Sequence, residues 1–488
     1  MNVSRFGAAV CLVAMLAGCG GDGGSSGVAT GGGTPSTGGI GGGTTGTATG
    51  DGTCSLRDRQ DWVAGQMREW YLFPETLPTA LDPAGYTNID DYLDALTATA
   101  RSQRRDRYFT YLTSIAEENA YYDSGSSAGF GFRLATDASA RRLFVTEAFE
   151  GTAALSAEID RGSEILAIGT SASTLRDVGA IVATEGTEGL NTALGPSAVG
   201  TARAFRVADA AGTRVVTIAK TDYTLTPVSS RYGAKIIDEG GQRYGYVNLR
   251  TFITTAGPAL RDAFAQFRAA GITRVVVDLR YNGGGLVSIA ELMGDLLGGN
   301  RAASDVFSYT TFRPEKSAED SRHLFTAQPQ AIAPTRIAFI GTGGTASASE
   351  IVINAFTPYL HGNAALVGTN TFGKPVGQIA IDRSQCDDRL RVIAFAEQNA
   401  ARQGNYYDGL ATTVEASCQA GDDIGYPLGD PREASIRAAI DFLAGKSCTR
   451  IAAGEVTAQS VSASGNGRRV LLTPDKPDTV QREVPGAF

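Results

Sequence analysis

Residues 274–285 read Arg274-Val275-Val276-Val277-Asp278-Leu279-Arg280-Tyr281-Asn282-Gly283-Gly284-Gly285, with a helix-like stretch beginning near Leu286. A short apolar run that ends in a Gly-rich turn and opens a helix marks a buried strand in an α/β layer. The unit recurs: the strand Arg336 to Ile340 enters Gly341-Thr342-Gly343-Gly344-Thr345-Ala346-Ser347-Ala348-Ser349-Glu350, and a helix continues through Phe356. Around these units lie a strand from Tyr244 to Leu249, a helix from about Pro258 to Ala270 and a strand from Ala364 to Val367. The pattern predicts an α/β domain over residues 227–447, with a helix from about Pro431 to Ala444 near its end and the candidate residues at the turns.

Each turn has a plain reading and a chemical one. Three successive glycines can be a flexible turn; they also let the backbone approach a ligand and aim N–H groups at developing negative charge. A phosphate loop fits less well, because no Gly-Lys-Ser/Thr follows. Ser347 with Glu350 three residues later is a capping box. A serine at a helix start also has free N–H groups beside it and a positive dipole end behind it, which suits an acyl-transfer nucleophile. After the strand ending at Val367 comes Thr371-Phe372-Gly373-Lys374-Pro375-Val376-Gly377-Gln378. A lysine normally sits near pKa 10.4, so Lys374 acts as a base at neutral pH only if its surroundings lower that by roughly 3 units, about 4 kcal/mol. Burial between apolar strands is the expected source. Pro375 restricts Lys374 to an extended backbone.

Outward from this domain the pattern changes. Residues 53–117 carry helical spacing (Trp62, Met67, Trp70, then Tyr92, Leu93, Leu96) broken by Pro74, Pro78 and Pro83, and read as a small helical segment. Residues 118–226 read as short strands: Gly129-Phe130-Gly131-Phe132, Arg142 to Thr146, Ser163 to Ile168, and Val215 to Ala219. This region resembles a PDZ domain. In that reading the N–H groups of the Gly129-Phe130-Gly131-Phe132 loop hold a peptide's terminal carboxylate while the peptide adds an edge strand. Residues 448–488 are polar and irregular and read as a tail; its end, Pro485-Gly486-Ala487-Phe488, is weakly apolar, the kind of end such a groove could take.

The amino terminus has an apolar stretch from Ala8 to Ala17 ending in Leu16-Ala17-Gly18-Cys19, too short to span a membrane. It reads as a secretion signal over residues 1–18 and resembles the bacterial lipoprotein cleavage box, which implies a lipid-modified Cys19. Gly20, in place of an acidic residue, implies the outer membrane, facing the periplasm. Residues 19–52 are almost entirely Gly, Ser and Thr, and read as a tether. Of six cysteines, Cys11 leaves with the signal and Cys19 is the anchor. The remaining four, Cys54, Cys386, Cys418 and Cys448, predict two disulfides in an oxidising envelope; three pairings are open, and Cys386–Cys418 with Cys54–Cys448 is the expected one. Their spacing fits no zinc site, and no metal is expected.

Taken together, the three turn motifs and the PDZ-like segment resemble the carboxyl-terminal processing peptidases, or tail-specific proteases. The resemblance implies a crotonase/Clp-protease-like α/β catalytic domain. It implies Ser347 as nucleophile, Lys374 as general base, Gln378 as the residue that orients it, and the N–H groups of Gly285 and Ala348 as the oxyanion hole. The substrates implied are proteins or peptides with accessible carboxyl termini, with no cofactor. Two departures stand out: the Ser347-to-Lys374 gap is about two residues longer than usual, near Pro358-Tyr359-Leu360-His361, and Pro375 replaces a glycine.

Composition narrows the field further. A net charge of −8 without basic runs removes the electrostatic footprint of a nucleic-acid binder. The only two histidines, His323 and His361, lie in no motif that presents a base to Ser347, which disfavours a Ser/His/Asp triad. The rival readings are a non-catalytic, peptide-binding envelope lipoprotein, with Ser347 as a plain helix cap, and a crotonase-like acyl-CoA enzyme. The second leaves Lys374 and the PDZ-like segment without a purpose.

Overall fold

A computed structural model of the chain describes residues 54–452, 460–462 and 468–488. The signal, Cys19 and the tether lie outside the described residues. The fold is mixed α/β with several sheets. Its centre is a six-stranded sheet in the order Ala234–Glu239, Gln242–Asn248, Arg274–Asp278, Arg336–Gly341, Ala364–Gly368 and Ala416–Gln419. All neighbours after the first hairpin are parallel. Helices cover both faces, so the strands read as continuous apolar runs without alternation. One core holds Val275, Val277, Ile337, Phe339 and Leu366 against helices Ala256–Ala269, Val287–Leu297 and Ala348–Leu360. The opposite face packs Val276, Ala338, Ile340 and Val367 against Ile436, Ala439 and Ile440 of the helix Ala434–Leu443. Ligand sites in such sheets collect beyond the carboxyl ends of the strands, where all three turns lie.

The stretch after Lys374 leaves this sheet. Val376–Arg383 and Asp388–Gln398 form an antiparallel hairpin in a five-stranded sheet that also takes Tyr111–Ser114. The amino-terminal helices Leu56–Trp70 and Ile89–Ser102 lie against it, with Val63, Met67, Leu93 and Leu96 packed on Leu390, Val392 and Ile393. The amino-terminal segment is thus the cover of this hairpin, and its apolar residues, which recur at helical spacing, pack both on one another and on the hairpin.

An eight-stranded sheet runs Ser460–Ser462, Arg468–Leu471, Phe132–Asp137, Arg142–Ala148, Glu164–Gly169, Ala202–Asp209 and Gly212–Ala219, with Arg176–Asp177 paired to the side of Glu164–Gly169. Helices Val178–Glu185 and Glu188–Leu194 close its core of Phe130, Phe132, Leu134, Ile165, Ile181, Leu190, Leu194 and Phe205.

Two expectations are corrected. The disulfides are Cys54–Cys386 and Cys418–Cys448, not Cys386–Cys418 and Cys54–Cys448. Cys386 lies in the turn between the two hairpin strands, beneath the start of the helix Leu56–Trp70 that Cys54 precedes. Cys418 lies in the edge strand of the central sheet, where the N–H of Gln419 bonds the carbonyl of Thr449 and brings Cys448 alongside. Cys386 and Cys418 therefore belong to different sheets. Nor are residues 468–488 an irregular tail: they contribute a strand, the short helix Thr479–Glu483, and the buried side chains of Val484, Ala487 and Phe488.

Candidate active site

The Gly-rich turn after Asp278 is held by buried charge. The Arg280 guanidinium, 1% exposed, donates to Asp278 at 2.9 Å, Asp422 at 3.0 Å and Glu433 at 2.9 Å. Arg161 reaches the same Asp422 at 2.6 Å, and the two guanidinium groups hold that carboxyl well below the usual range against its burial. So many paired charges around Arg280 and Tyr281 fix the backbone that follows. Asn282 then donates to the Leu249 carbonyl at 2.9 Å and accepts from the Gly284 N–H at 2.9 Å. Gly284 has φ 126°, and a Cβ there would lie 2.8 Å from the Cβ of Ser347, so only glycine lets this turn lie against the serine.

Ser347 stands at the entry of the helix Ala348–Leu360 with φ 53°, a conformation that costs a non-glycine residue energy and recurs at functional positions. Ala346 donates to the Asn282 carbonyl at 3.0 Å, and Ser349 Oγ to the same oxygen at 3.0 Å, which ties the two turns together. Among the described residues, the N–H groups of Gly285 and Ala348 have no acceptor. Gly283, by contrast, donates to the carbonyl of Glu483 at 2.9 Å.

Lys374 is half-buried, and its Nζ donates to Gln378 Oε1 at 2.8 Å. Gln378 in turn donates through Nε2 to the Phe109 carbonyl, so the helical cover positions it. The Lys374 ammonium also faces the Phe109 ring at 5.1 Å. Loss of hydration pushes its pKa down to about 8, opposed by the carboxylate of Glu483. Ser347 and Lys374 are not hydrogen-bonded to each other in this state.

Glu350 joins the two. Fully buried, it accepts from the Ser347 N–H at 3.1 Å, the Gly373 N–H at 2.7 Å, the Lys374 N–H at 2.7 Å and Thr371 Oγ1 at 2.6 Å. Burial raises its pKa, against those bonds. Sequence reasoning placed Glu350 only as the third residue of a capping box. The bond to Ser347 N–H belongs to that box; the three to the Lys374 loop do not. Pro375 leaves the loop intact, because the N–H it lacks is not among those that Glu350 takes. Pro358 sits in the last turn of the helix, ahead of His361.

A cleft of about 460 Å³ has Gly283, Ala346, Phe372 and Lys374 among its lining residues and Arg482, Glu483 and Pro485 facing them. The Gly129-Phe130-Gly131-Phe132 loop meets Phe488, whose carbonyl accepts from the Gly131 N–H at 3.0 Å and whose N–H donates to the Phe132 carbonyl at 3.0 Å. The histidines lie elsewhere: His323 between Glu291 and Asp295, His361 on Glu415 at 2.8 Å. Among the described residues no cluster of histidine, cysteine or carboxylate side chains could hold a metal.

This architecture has relatives. Residues 243–399 match the family described as peptidase family S41, and residues 58–111 match the peptidase S41 N-terminal domain. The chain is 29% identical over 187 residues to the chloroplastic C-terminal processing peptidase of Tetradesmus obliquus, covering 35% of this chain and 36% of that protein. It is 30% identical over 165 residues to a carboxyl-terminal-processing protease of Picosynechococcus, covering 33% of this chain and 35% of that one. The matched stretches thus span about a third of these relatives' length. A solved structure assigned to S41 proteases from Bacteroides fragilis superposes with a TM-score of 0.58 at 20% identity, covering 79% of this chain and 97% of that one, and shares the fold. The peptidase match contains both Ser347 and Lys374, and the N-terminal match contains the helices and Phe109 that back Gln378; by these two matches, residues 243–399 carry a peptidase family S41 domain and residues 58–111 a peptidase S41 N-terminal domain.

Proposed function

We propose that the protein is a serine endopeptidase that takes protein carboxyl ends into a PDZ-like groove beside the Gly129–Phe132 loop and cleaves nearby peptide bonds. In this reading neutral Lys374 removes the Ser347 proton as Oγ attacks the scissile carbonyl, and the Gly285 and Ala348 N–H groups receive the oxyanion. Lys374 then returns the proton to the leaving amine, and water releases the acyl group from Ser347. Gln378 orients the ammonium. The observation that carries the proposal is the Glu350 carboxylate, which holds the Ser347 N–H and the Lys374 N–H on one oxygen, Oε2. A plain helix cap would have no reason to reach the lysine loop.

Digestion of an unfolded reporter protein tests the reading, with a peptide carboxyl end added if cleavage needs one. Cleavage that disappears in Ser347→Ala is expected; no turnover under either condition would leave a binding protein. Glu350→Gln replaces an acceptor of four bonds by a group that carries its own donors. Stability is expected to fall by about 2–3 kcal/mol, and kcat by roughly 10²-fold with KM little changed. Denaturant unfolding and initial rates check both, and an unchanged kcat would remove Glu350 from the machinery. Attachment through Cys19 is part of the same proposal. Cys19→Ser should move the protein from the membrane fraction to the soluble fraction; retention in the membrane would argue against the anchor.

A further inference from the structure

The groove already has an occupant. The free edge of the strand Phe132–Asp137 is taken along its length by the end of the chain itself. Val470 and Leu471 pair with Thr136 and Ala135, and the Leu472 N–H donates to the Leu134 carbonyl at 3.0 Å. The Leu134 N–H donates to the Gly486 carbonyl at 2.8 Å, Ala487 bridges Arg133 in the antiparallel sense, and Phe488 exchanges bonds with Gly131 and Phe132. The Phe488 side chain, 6% exposed, joins the apolar cluster of Phe130, Phe132, Ile181, Leu190 and Phe205. Its carboxyl carbon is so close that a Cβ on Gly129 would lie 2.8 Å from it. One strand edge pairs with one partner, so no second carboxyl end can enter while Phe488 is in place.

The same segment crosses the catalytic turns. The Glu483 carbonyl takes the Gly283 N–H, and Arg133 Nη1 donates to both the Pro485 carbonyl at 2.7 Å and the Tyr281 carbonyl at 2.8 Å. Arg482 donates to the Tyr108 carbonyl at 2.9 Å, and the Glu483 carboxylate accepts from Tyr122 at 3.0 Å. No carbonyl of the segment takes the Gly285 or Ala348 N–H. The segment lines the cleft without presenting a bond to the serine.

We propose that residues 479–488 are a resident inhibitor of this peptidase: they occupy the carboxyl-end groove and wall one side of the cleft in a register that is not cut, and a substrate's end enters only by displacing them. This rests on the reading of the groove and of Ser347 given above. Being tethered, the segment competes at an effective concentration in the millimolar range, which weakens the apparent affinity of any free peptide by the fraction of molecules left open.

The test uses the full chain carrying Ser347→Ala, so that nothing is cut, and a fluorescein-labelled peptide with the sequence of residues 479–488. Three forms are compared by fluorescence polarisation: the intact terminus, a truncation after Val484, and Phe488→Ser, which keeps the backbone pairing and empties the apolar pocket. Binding at least tenfold tighter in the truncated and Phe488→Ser forms is expected. In the Ser347 background, both changes should raise reporter cleavage at least tenfold, and the free peptide should inhibit the truncated form. If truncation prevents folding, Phe488→Ser decides alone. Equal affinity and equal rates with and without the terminus would overturn the proposal. Tighter peptide binding with no cleavage in any form would overturn the peptidase reading and leave the resident segment standing. Cleavage of the segment itself by the Ser347 form would make it a substrate and would also overturn the inhibitor proposal.

Discussion

Ser347→Ala is expected to lower kcat/KM at least 10⁴-fold while leaving the unfolding midpoint nearly unchanged. Removing a nucleophile that acts as a unit with its base costs about as much as removing the whole constellation, and what remains is binding and oxyanion stabilisation. Folding should survive because Ser347 Oγ carries little of the local architecture. Of the capping box, alanine keeps the Ser347 N–H bond to Glu350 and loses only the side-chain half, about 1 kcal/mol, while the turn beneath is fixed by Asn282 and Ser349. Alanine also keeps the room beside Gly284. The comparison to run is wild type against Ser347→Ala on the reporter, in the form freed of its terminus if the intact form is slow. Residual cleavage within tenfold of wild type would place the nucleophile elsewhere. Ser349 is no substitute, because its Oγ is turned away to the Asn282 carbonyl.

What the sequence revealed, and what it hid, follows from how local each feature is. The strands entering the Gly-rich and Ser347 turns coincide with the runs Arg274 to Leu279 and Arg336 to Ile340, because a strand buried on both faces shows itself as an unbroken apolar run. Ser347, Gly285 and Lys374 could be picked out because each turn declares itself within ten residues. Glu350 could not be fully read: its bonds to Thr371, Gly373 and Lys374 cross more than twenty residues and two elements. The disulfides were paired wrongly because pairing depends on which sheet each cysteine joins, and the departure of Val376–Arg383 from the central sheet carries no local signal. The terminus was misread for a related reason. Residues 479–488 have no periodicity and no core of their own, yet Val484, Ala487 and Phe488 are buried in apolar surface supplied mostly by residues more than two hundred positions away. Its weak apolar character was visible; that the chain itself supplies the receiving groove was not.

The second large effect lies at Lys374, where pH separates chemistry from structure. With its pKa pushed down to about 8, roughly a tenth of the molecules hold a neutral amine at pH 7, and the fraction rises toward one by pH 9. A general base must be neutral to accept the proton, so kcat/KM should climb about tenfold between pH 7 and pH 9 and level off with a midpoint near 8. Lys374→Ala should cut the rate at least 10³-fold and flatten that limb. Lys374→Arg is the sharper control, since a guanidinium keeps the positive charge yet never gives up its proton in this range; it should be as inactive as alanine. Activity retained in the arginine form would mean that Lys374 supplies charge alone. The groups around the ammonium then set the direction of a further shift. Burial lowers the lysine pKa, Glu483 and Asp106 raise it, and Arg482 and Arg391 lower it, with Glu483 the strongest of these charges. Glu483 belongs to the resident terminus, so while that segment is seated its carboxylate stabilises the protonated lysine that cannot act as a base. Glu483→Gln should therefore move the midpoint of the pH–rate profile downward and raise the rate at pH 7. A midpoint that stays near 8 would show that burial alone sets the base, and that the terminus restrains the enzyme only by filling the groove.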